Sequence, residues 1–510
     1  MALFGRDHVP AVTPAEASAL DRTARESGGI PERVLMESAG RAAALVLDRL
    51  FPRGRVAVIA GSGNNGGDAV VVGRVLRAWG RAVTIVAVGT KPPDAALLHG
   101  DGLAFLAAPE LERCLLDADV VVDGVLGTGL AGPARGGAAD AIVAMNRAGR
   151  PVLALDLPSG LAGVTGEVQE PVVRASATVS FGWPKIGLMF QPARALCGRM
   201  IVVEMGFPPL AAAGAELITP AWAALRLPVR APSAHKGDSG RLLVLAGRDG
   251  MAGAAALAGQ AARRAGAGLV RICSTPGNRE ILQTLVPEAT FVARAELSAG
   301  DGEMAHALVL GPGMGADDDG RSALERALEI TQGKPALFDA DAVTLFADRQ
   351  DALRDIASTR PLVITPHAGE MQRLLGTSAH DIVKYPAAAA AEAVARLGCT
   401  VLLKGQPSII AAPDQPMLIN TAGSSDTAAA GMGDQLAGAI GAFLAAGVSV
   451  RDAAGAGLFF SSRAADLCSL GRSLGPRDVA ESLPAAFARP GDTYSSLRLP
   501  FVTFDQPARW

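Results

Sequence analysis

The segment Arg55-Val56-Ala57-Val58-Ile59-Ala60-Gly61-Ser62-Gly63-Asn64-Asn65-Gly66-Gly67-Asp68, continuing to Trp79, changes its period part-way along. Residues 55 to 60 are a short apolar run rich in β-branched side chains, the pattern of a strand covered on both faces. From Asp68 to Trp79 the apolar positions recur at helical spacing and stop at Gly80. The glycine-rich loop from Gly61 to Gly67 joins the two, so the segment reads as a strand–loop–helix unit.

Working outward, Thr13-Pro14-Ala15-Glu16 combines a capping hydroxyl, a proline at the first helical position and an acid that completes a capping box, which predicts an opening helix. A second helix is expected from Glu37 to Leu50. Apolar runs then predict strands at Ala82 to Val88, Val120 to Asp123, Pro151 to Asp156, Ala177 to Phe181 and Met200 to Val203. Strands alternating with helical or glycine-rich segments imply a parallel sheet. Between Pro208 and His235 the period weakens and prolines gather, which reads as a linker. The alternation then restarts, with strands at Arg241 to Ala246, Leu269 to Cys273, Ala307 to Leu310, Ala336 to Asp339, Leu362 to Ile364 and Thr400 to Lys404. Helices are expected at Gly253 to Ala265, Gln435 to Ala446 and Asp452 to Leu467. Two α/β domains follow, residues 1–215 and 216–495, with Pro490 to Trp510 as a tail lacking any clear period.

Bulk properties narrow the function classes. A chain of 510 residues exceeds one comfortable core. Its 49% hydrophobic residues are dispersed among Gly and Arg, with no uncharged run long enough for a bilayer. Arg6, Asp7 and His8 interrupt the first residues, unlike a secretory signal, so a cytoplasmic location is expected. The five cysteines are far apart and read as reduced thiols, neither a disulfide set nor a metal pair. Net charge is −3 with no basic block, which points away from nucleic acid and toward small phosphorylated ligands.

Gly61-Ser62-Gly63-Asn64-Asn65-Gly66 formally fits a dinucleotide loop, yet the next strand ends in Gly89-Thr90, with no acid to take a ribose hydroxyl. Asp123, before Gly124-Val125-Leu126-Gly127-Thr128-Gly129, and Asp156, before Leu157-Pro158-Ser159-Gly160, end two further strands. Carboxyl ends of parallel strands face one crevice. Asn65, Asp123 and Ser159 are thus three convergent oxygen donors that suit a hard cation. A turn or strand-end cap would account for any one of them alone.

These segments, with Leu35-Met36-Glu37-Ser38-Ala39-Gly40, resemble the NAD(P)H-hydrate epimerase domain over nearly all of residues 10 to 207. The resemblance implies a Rossmann-like three-layer α/β fold and interconversion of the R and S forms of hydrated NADH or NADPH. It implies potassium on Asn65, Asp123 and Ser159. It also implies substrate contacts from Asn64, Asn65, Gly66, Gly67 and Asp68, from Gly127, Thr128, Gly129, Leu130, Ala131, Gly132 and Pro133, and from Asp156. Epimerisation needs an acid/base group at the hydrated carbon, for which Asp156 is the candidate, with Lys185 either a second such group or a solvated surface lysine.

In the second half, Gly431-Met432-Gly433-Asp434 ends one segment in small residues and places a carboxylate where a helix is expected to begin. Amides at a helix N-terminus suit an anion, and the acid can accept a proton from a hydroxyl under phosphorylation. Before it come His235-Lys236-Gly237-Asp238-Ser239-Gly240, Gly250-Met251-Ala252-Gly253-Ala254-Ala255, Gly311-Pro312-Gly313-Met314-Gly315, Asp339-Ala340-Asp341-Ala342, Thr365-Pro366-His367-Ala368-Gly369-Glu370 and Lys404-Gly405-Gln406-Pro407-Ser408. In this order they resemble the ADP-dependent NAD(P)H-hydrate dehydratase domain, ribokinase-like in fold, over roughly residues 217 to 485. By that resemblance Ala254, Gly313, Gly315, His367 and Asp434 meet the hydrate, while Lys404, Gly405, Gln406, Pro407, Ser408 and Gly433 meet ADP, with Mg2+ as cofactor. Asp434 is the expected catalytic acid/base, and Gln435 stands where the family has an apolar residue.

The partners expected are small molecules, namely NADH hydrate, NADPH hydrate and ADP, with neither nucleic acid nor membrane, in a homo-oligomer. A second reading stays open: a ribokinase-like kinase of a small alcohol fused to a non-catalytic module that binds a nucleotide or a protein.

Overall fold

The computed structural model describes residues 8–89, 91–98, 103–129, 132–207, 213–229, 232–233, 239–488 and 502–503. It divides into two compact units on either side of Ala215 and Glu216. His235, Lys236, Gly237 and Asp238 lie outside the described residues, as do Leu130 and Ala131.

In the N-terminal unit the strands are β1 (Val56–Ala60), β2 (Val83–Ala87), β3 (Phe105–Ala107), β4 (Val120–Gly124), β5 (Val152–Leu155), β6 (Ala177–Phe181) and β7 (Arg199–Val203), all parallel, in the order β7-β6-β5-β4-β1-β2-β3. Alternation along one strand builds the three layers. Val56, Val58 and Ala60 pack into a core with the helices Glu32–Leu50 and Asn64–Ala78. Ala57 and Ile59 pack into the core on the opposite face, with the helices Leu111–Asp117 and Gly136–Ala148. Each fully buried Val or Ile contributes about 1.5–3 kcal/mol. In the C-terminal tail, Val502–Thr503 pairs antiparallel with β7.

Two expected boundaries shift. Thr13 does cap the helix Pro14–Glu26 through a complete capping box, but the second helix starts at Glu32, five residues before the expected Glu37. The glycine loop is shorter than its composition suggests, because the helix begins at Asn64 after an extended Gly63. Gly66 and Gly67 therefore serve packing. A Cβ on Gly66 would stand 1.9 Å from the Gly61 carbonyl oxygen, and one on Gly67 would stand 2.6 Å from the Met36 methyl.

The C-terminal unit contains β8 (Ala215–Ile218), which straddles the division, β9 (Arg241–Leu245), β10 (Leu269–Ser274), β11 (Thr290–Ala293), β12 (Ala307–Leu310), β13 (Ala336–Phe338), β14 (Leu362–Ile364), β15 (Thr400–Leu403), β16 (Ile409–Ala412) and β17 (Gln415–Asn420). Their order is β8-β17-β16-β15-β14-β13-β12-β9-β10-β11. From β15 through to β11 the pairing is parallel, but β15–β16–β17 is an antiparallel extension turned at Asp414, whose φ is 53°. The expected parallel sheet is thus a mixed one. The presumed linker also holds structure: besides β8 it carries the helix Pro220–Ala224, capped by Thr219 and anchored by the fully buried Trp222.

Leu242 and Val244 of β9 pack against a helical layer built from Ala252–Arg264, Met432–Ala445, Val450–Cys468 and Pro476–Ala488. Close approach there uses glycine: a Cβ at Gly438 would lie 2.0 Å from the Ala258 carbonyl oxygen. Gln435 is buried on this helical layer and donates to the Ser461 hydroxyl at 3.2 Å, so its polar end is satisfied inside the core. All five cysteines are free thiols, four of them buried. Among the described residues no helix is long and apolar enough to cross a membrane.

Candidate active sites

In the N-terminal unit the carboxyl ends of β1, β4 and β5 open onto a cleft of about 1030 Å3, lined by Asn64, Asn65, Asp68, Gly127, Thr128, Gly129, Asp156 and Lys185 among others. Asp123, fully buried, accepts hydrogen bonds from the Ser159 hydroxyl at 2.6 Å, the Ser159 amide at 2.9 Å and the Val125 amide at 3.2 Å. Burial pushes its carboxyl up to about 6, and those hydrogen bonds pull the other way. Asn65 Nδ2 donates to the Leu126 carbonyl at 2.8 Å, while its Oδ1 is buried with no hydrogen-bond partner. Among the described residues no cation pairs with Asp123. A buried carboxylate, a buried hydroxyl and an orphaned amide oxygen together fit a hard monovalent cation.

Asp156 stands at φ 65°, in the left-handed region that few residues other than glycine adopt. Its amide donates to the Val179 carbonyl at 2.7 Å, and its carboxylate is ion-paired with Lys185 Nζ. Lys185 is 2% exposed, which removes the reading of a solvated surface lysine. Val12 brackets its backbone, donating to the Pro184 carbonyl at 2.9 Å and accepting from the Ile186 amide at 2.8 Å. Asp68 is half-buried in the helix that leaves β1. Burial, then the charges of Asp156 and Asp21, push its carboxyl well above the usual range, with Lys185 opposing. Two neighbouring carboxyls in unlike surroundings can divide acid and base roles.

In the C-terminal unit Asp434 is the third residue of the helix Met432–Ala445, which starts three residues earlier than the sequence pattern suggested. Its N-cap, Gly431, has φ 82° and offers no side chain, so the first amides carry no side-chain cap. Burial first, then the charges of Asp339 and Asp341, push the Asp434 carboxyl up to about 6 against the pull of Lys404. Asp339, 1% exposed at the end of β13, accepts from Lys404 Nζ and from the Thr365 hydroxyl, both at 2.7 Å. Burial acts to lower the Lys404 pKa, but Asp339 and Glu370 more than offset it and hold the ammonium charged. Asp341 accepts the Gly315 amide at 2.8 Å, and Gly313 and Gly315 both have positive φ. His367 caps the helix Ala368–Leu375, its Nδ1 accepting from the Gly369 and Glu370 amides at 2.9 and 3.2 Å. The Ser408 hydroxyl closes the Gly405–Ser408 turn through the Gly405 amide and carbonyl, both at 3.1 Å.

A family model for NAD(P)H-hydrate dehydratase matches residues 242–484, and one for the YjeF-related protein N-terminus matches residues 32–187. The chain is 36% identical over 460 residues to the bifunctional NAD(P)H-hydrate repair enzyme Nnr of Moorella thermoacetica, covering 83% of this chain and 86% of that one. The chain belongs to the family of bifunctional NAD(P)H-hydrate repair enzymes. The Nnr enzyme of Coxiella burnetii is also 36% identical, over 88% of this chain and 92% of its own. A ribokinase-like superfamily protein from Enterococcus faecalis superposes on 56% of this chain and all of its own, with a TM-score of 0.50 and 26% identity. The C-terminal unit of this repair-enzyme chain is accordingly ribokinase-like.

Some of the residues expected at the N-terminal site line the cleft and others do not. Gly66 and Gly67 do not line the N-terminal cleft, because both lie in the helix packed on β1 and against Met36. Exposed Gly132 and Pro133 are not part of its lining either, whereas Arg135 and Gly136 just beyond them are. In the C-terminal unit Arg294 belongs to none of the sequence motifs. Its Nη2 donates to the carbonyls of Gly247 at 3.1 Å and Met314 at 2.6 Å, clasping the two glycine loops together. Arg294 sits beyond β11, a four-residue strand outside every recognised motif, so no local signal marks it. Ala254 is buried in the first turn of its helix.

Proposed function

We propose that the N-terminal cleft interconverts the R and S hydrates of NADH and NADPH, and that the C-terminal site uses ADP to return the S hydrate to the reduced coenzyme, with AMP and phosphate as by-products. In the first site Asp156, held by Lys185, takes the hydroxyl proton of the hydrated carbon as the ring opens and returns it as the ring recloses from the other face, and Asp68 is the neighbouring acid. Asn64 and the Gly127–Gly129 turn flank the substrate. Asn65, Asp123 and Ser159 would hold potassium, whose positive charge supplies a fixed anchor for substrate oxygen and offsets the buried Asp123 carboxylate.

In the second site Asp434 takes the proton of the ring hydroxyl as its oxygen attacks the terminal phosphorus of ADP, and AMP departs. The uncapped amides of the Met432–Ala445 helix and the Lys404 ammonium stabilise the charge that develops. The ring nitrogen's lone pair then expels phosphate, and loss of a ring proton restores the double bond. Hydroxide is a poor leaving group at neutral pH and phosphate a good one, which is why a kinase-like site serves a dehydration. Mg2+ is expected on the nucleotide phosphates: among the described residues no group of three or more His, Cys, Asp or Glu side chains is arranged to hold a metal by itself.

The observation that carries this reading is Asp434: a carboxyl pushed up to about 6 in the first turn of an uncapped helix, beside the half-buried Lys404. The test supplies the full chain with racemic hydrate, ADP, Mg2+ and K+. Both epimers should be consumed as reduced-nicotinamide absorbance returns. Asp434→Asn should leave both in exchange without repair, and Asp156→Asn should strand the R form. A stable phosphorylated alcohol as the end product would establish a kinase instead.

A further inference from the structure

Asp339 has no part in the chemistry above, yet it holds the Lys404 ammonium by a hydrogen bond and its charge acts on Asp434. It stands at the carboxyl end of β13, and the next residue, Ala340, is held at φ 47°, a strained conformation that clusters at functional sites. One oxygen, Oδ1, receives both the Thr365 hydroxyl and Lys404 Nζ. The other faces the first turn of the Asp434 helix: a Cβ placed on Gly433 would lie 3.6 Å from Asp339 Oδ2 and 3.5 Å from Lys404 Nζ.

We propose that Asp339 is a positioning residue for the dehydration step, fixing Lys404 with one oxygen and confronting the Asp434 turn with the other. The inference rests on the reading of this site as an ADP-dependent dehydratase. A buried ion pair is weak evidence of stabilisation in its own right, since apolar replacements of equal volume often do as well. What the pair does provide is placement. Lys404 ends β15, and its stem is flexible; Asp339, with Glu370 3.9 Å away on the other side, limits where the ammonium can go. The charged groups set around Asp434 are Asp339 and Asp341 beyond β13, Lys404 beyond β15 and, through Lys404, Glu370, whose Oε1 lies 3.5 Å from His367 Nε2. Asp339 is the charge among them that acts most strongly on Asp434, and it raises the Asp434 pKa.

Asp339→Asn, which keeps shape and removes charge, should act in two separable ways. KM for ADP should rise about tenfold, the scale of one lost charge-assisted hydrogen bond, with KM for the hydrate nearly unchanged. The acid limb of kcat/KM should move to lower pH by roughly one unit, because the neighbouring negative charge is gone. In a cycle with Lys404→Gln the two effects on KM for ADP should be non-additive, the double variant being no worse than Lys404→Gln alone. A merely structural Asp339 would scale activity with the folded fraction and leave the limb in place, and an unmoved limb or additive effects would overturn the inference. Should Asp339→Asn be insoluble, Thr365→Val, which removes the other donor on Oδ1, carries the test: KM for ADP rises by a smaller factor, and no change rejects the idea. Wild-type protein that leaves the hydrate untouched refutes the dehydratase reading itself, an outcome distinct from an active wild type with an indifferent Asp339 variant.

Discussion

Asp434→Asn should make the C-terminal unit more stable while abolishing dehydration, and the gain should depend on pH in a defined direction. The Asp434 carboxyl is pushed from 3.8 up to about 6, chiefly by burial and by Asp339. A rise of that size makes ionisation in the native state less favourable by about 3 kcal/mol. Asp434 is partly exposed, and solvent screening reduces this to about 2 kcal/mol. The sign follows from linkage: the unfolded chain ionises first, so raising the pH through the window from about 4 to 6 costs the native state stability. Asparagine carries no such penalty. Its advantage should therefore be fully present above pH ~6, shrink through the window and vanish below pH ~4. Scanning calorimetry of both proteins at pH 4 and pH 8 reads this out, with the C-terminal transition identified by its response to ADP. Equal midpoints at pH 8, or an advantage that grows toward acid, would refute the argument that burial penalises this charge. In wild type the same carboxyl predicts dehydration falling about tenfold per unit of pH below ~6.

Three further outcomes are expected. Asp123→Asn removes the charge from the Asn65–Asp123–Ser159 cluster, so epimerisation should lose its response to K+ while dehydration is unchanged, as assayed in K+ against Na+ buffers. Lys185→Met leaves Asp156 without its buried partner and should cut R-to-S interconversion about 100-fold, measured by chromatography of the two epimers without ADP. Gly66→Ala puts a methyl 1.9 Å from the Gly61 carbonyl oxygen, so the helix Asn64–Ala78 must shift away from β1. About 1–3 kcal/mol should be lost, visible as an earlier urea midpoint for the N-terminal unit.

The parallel strands were legible because each is covered on both faces and reads as an unbroken apolar run, as in Val56–Ala60 and Thr400–Leu403. Two other strands lack that signature. Phe105–Ala107 is three residues at a sheet edge, and Gln415–Asn420 carries a proline and an exposed glutamine. Asn64 and Asn65 read as loop because glycine and asparagine are poor helix formers, yet tertiary packing against Gly61 and Met36 favours the helical turn there. Asp123, Asp156 and Ser159 could be grouped from their places at strand ends. The partnership of Asp339 with Lys404 spans 65 residues and two strands, and no periodicity encodes it. The burial of Lys185 was equally hidden, since its backbone is held by Val12, far away in sequence, bracketing Pro184 and Ile186.

The backbone at Asp156 bears on how its chemistry can be interrogated. At φ 65° an alanine has no side-chain amide or carboxylate to support the turn, so Asp156→Ala would unbend the peptide as well as delete the acid. Asparagine tolerates that geometry and differs only in charge and protonation, while glycine relaxes the strain and removes the side chain. Comparing those two substitutions therefore separates the worth of the bend from the worth of the proton, a distinction that an alanine scan of this loop would erase.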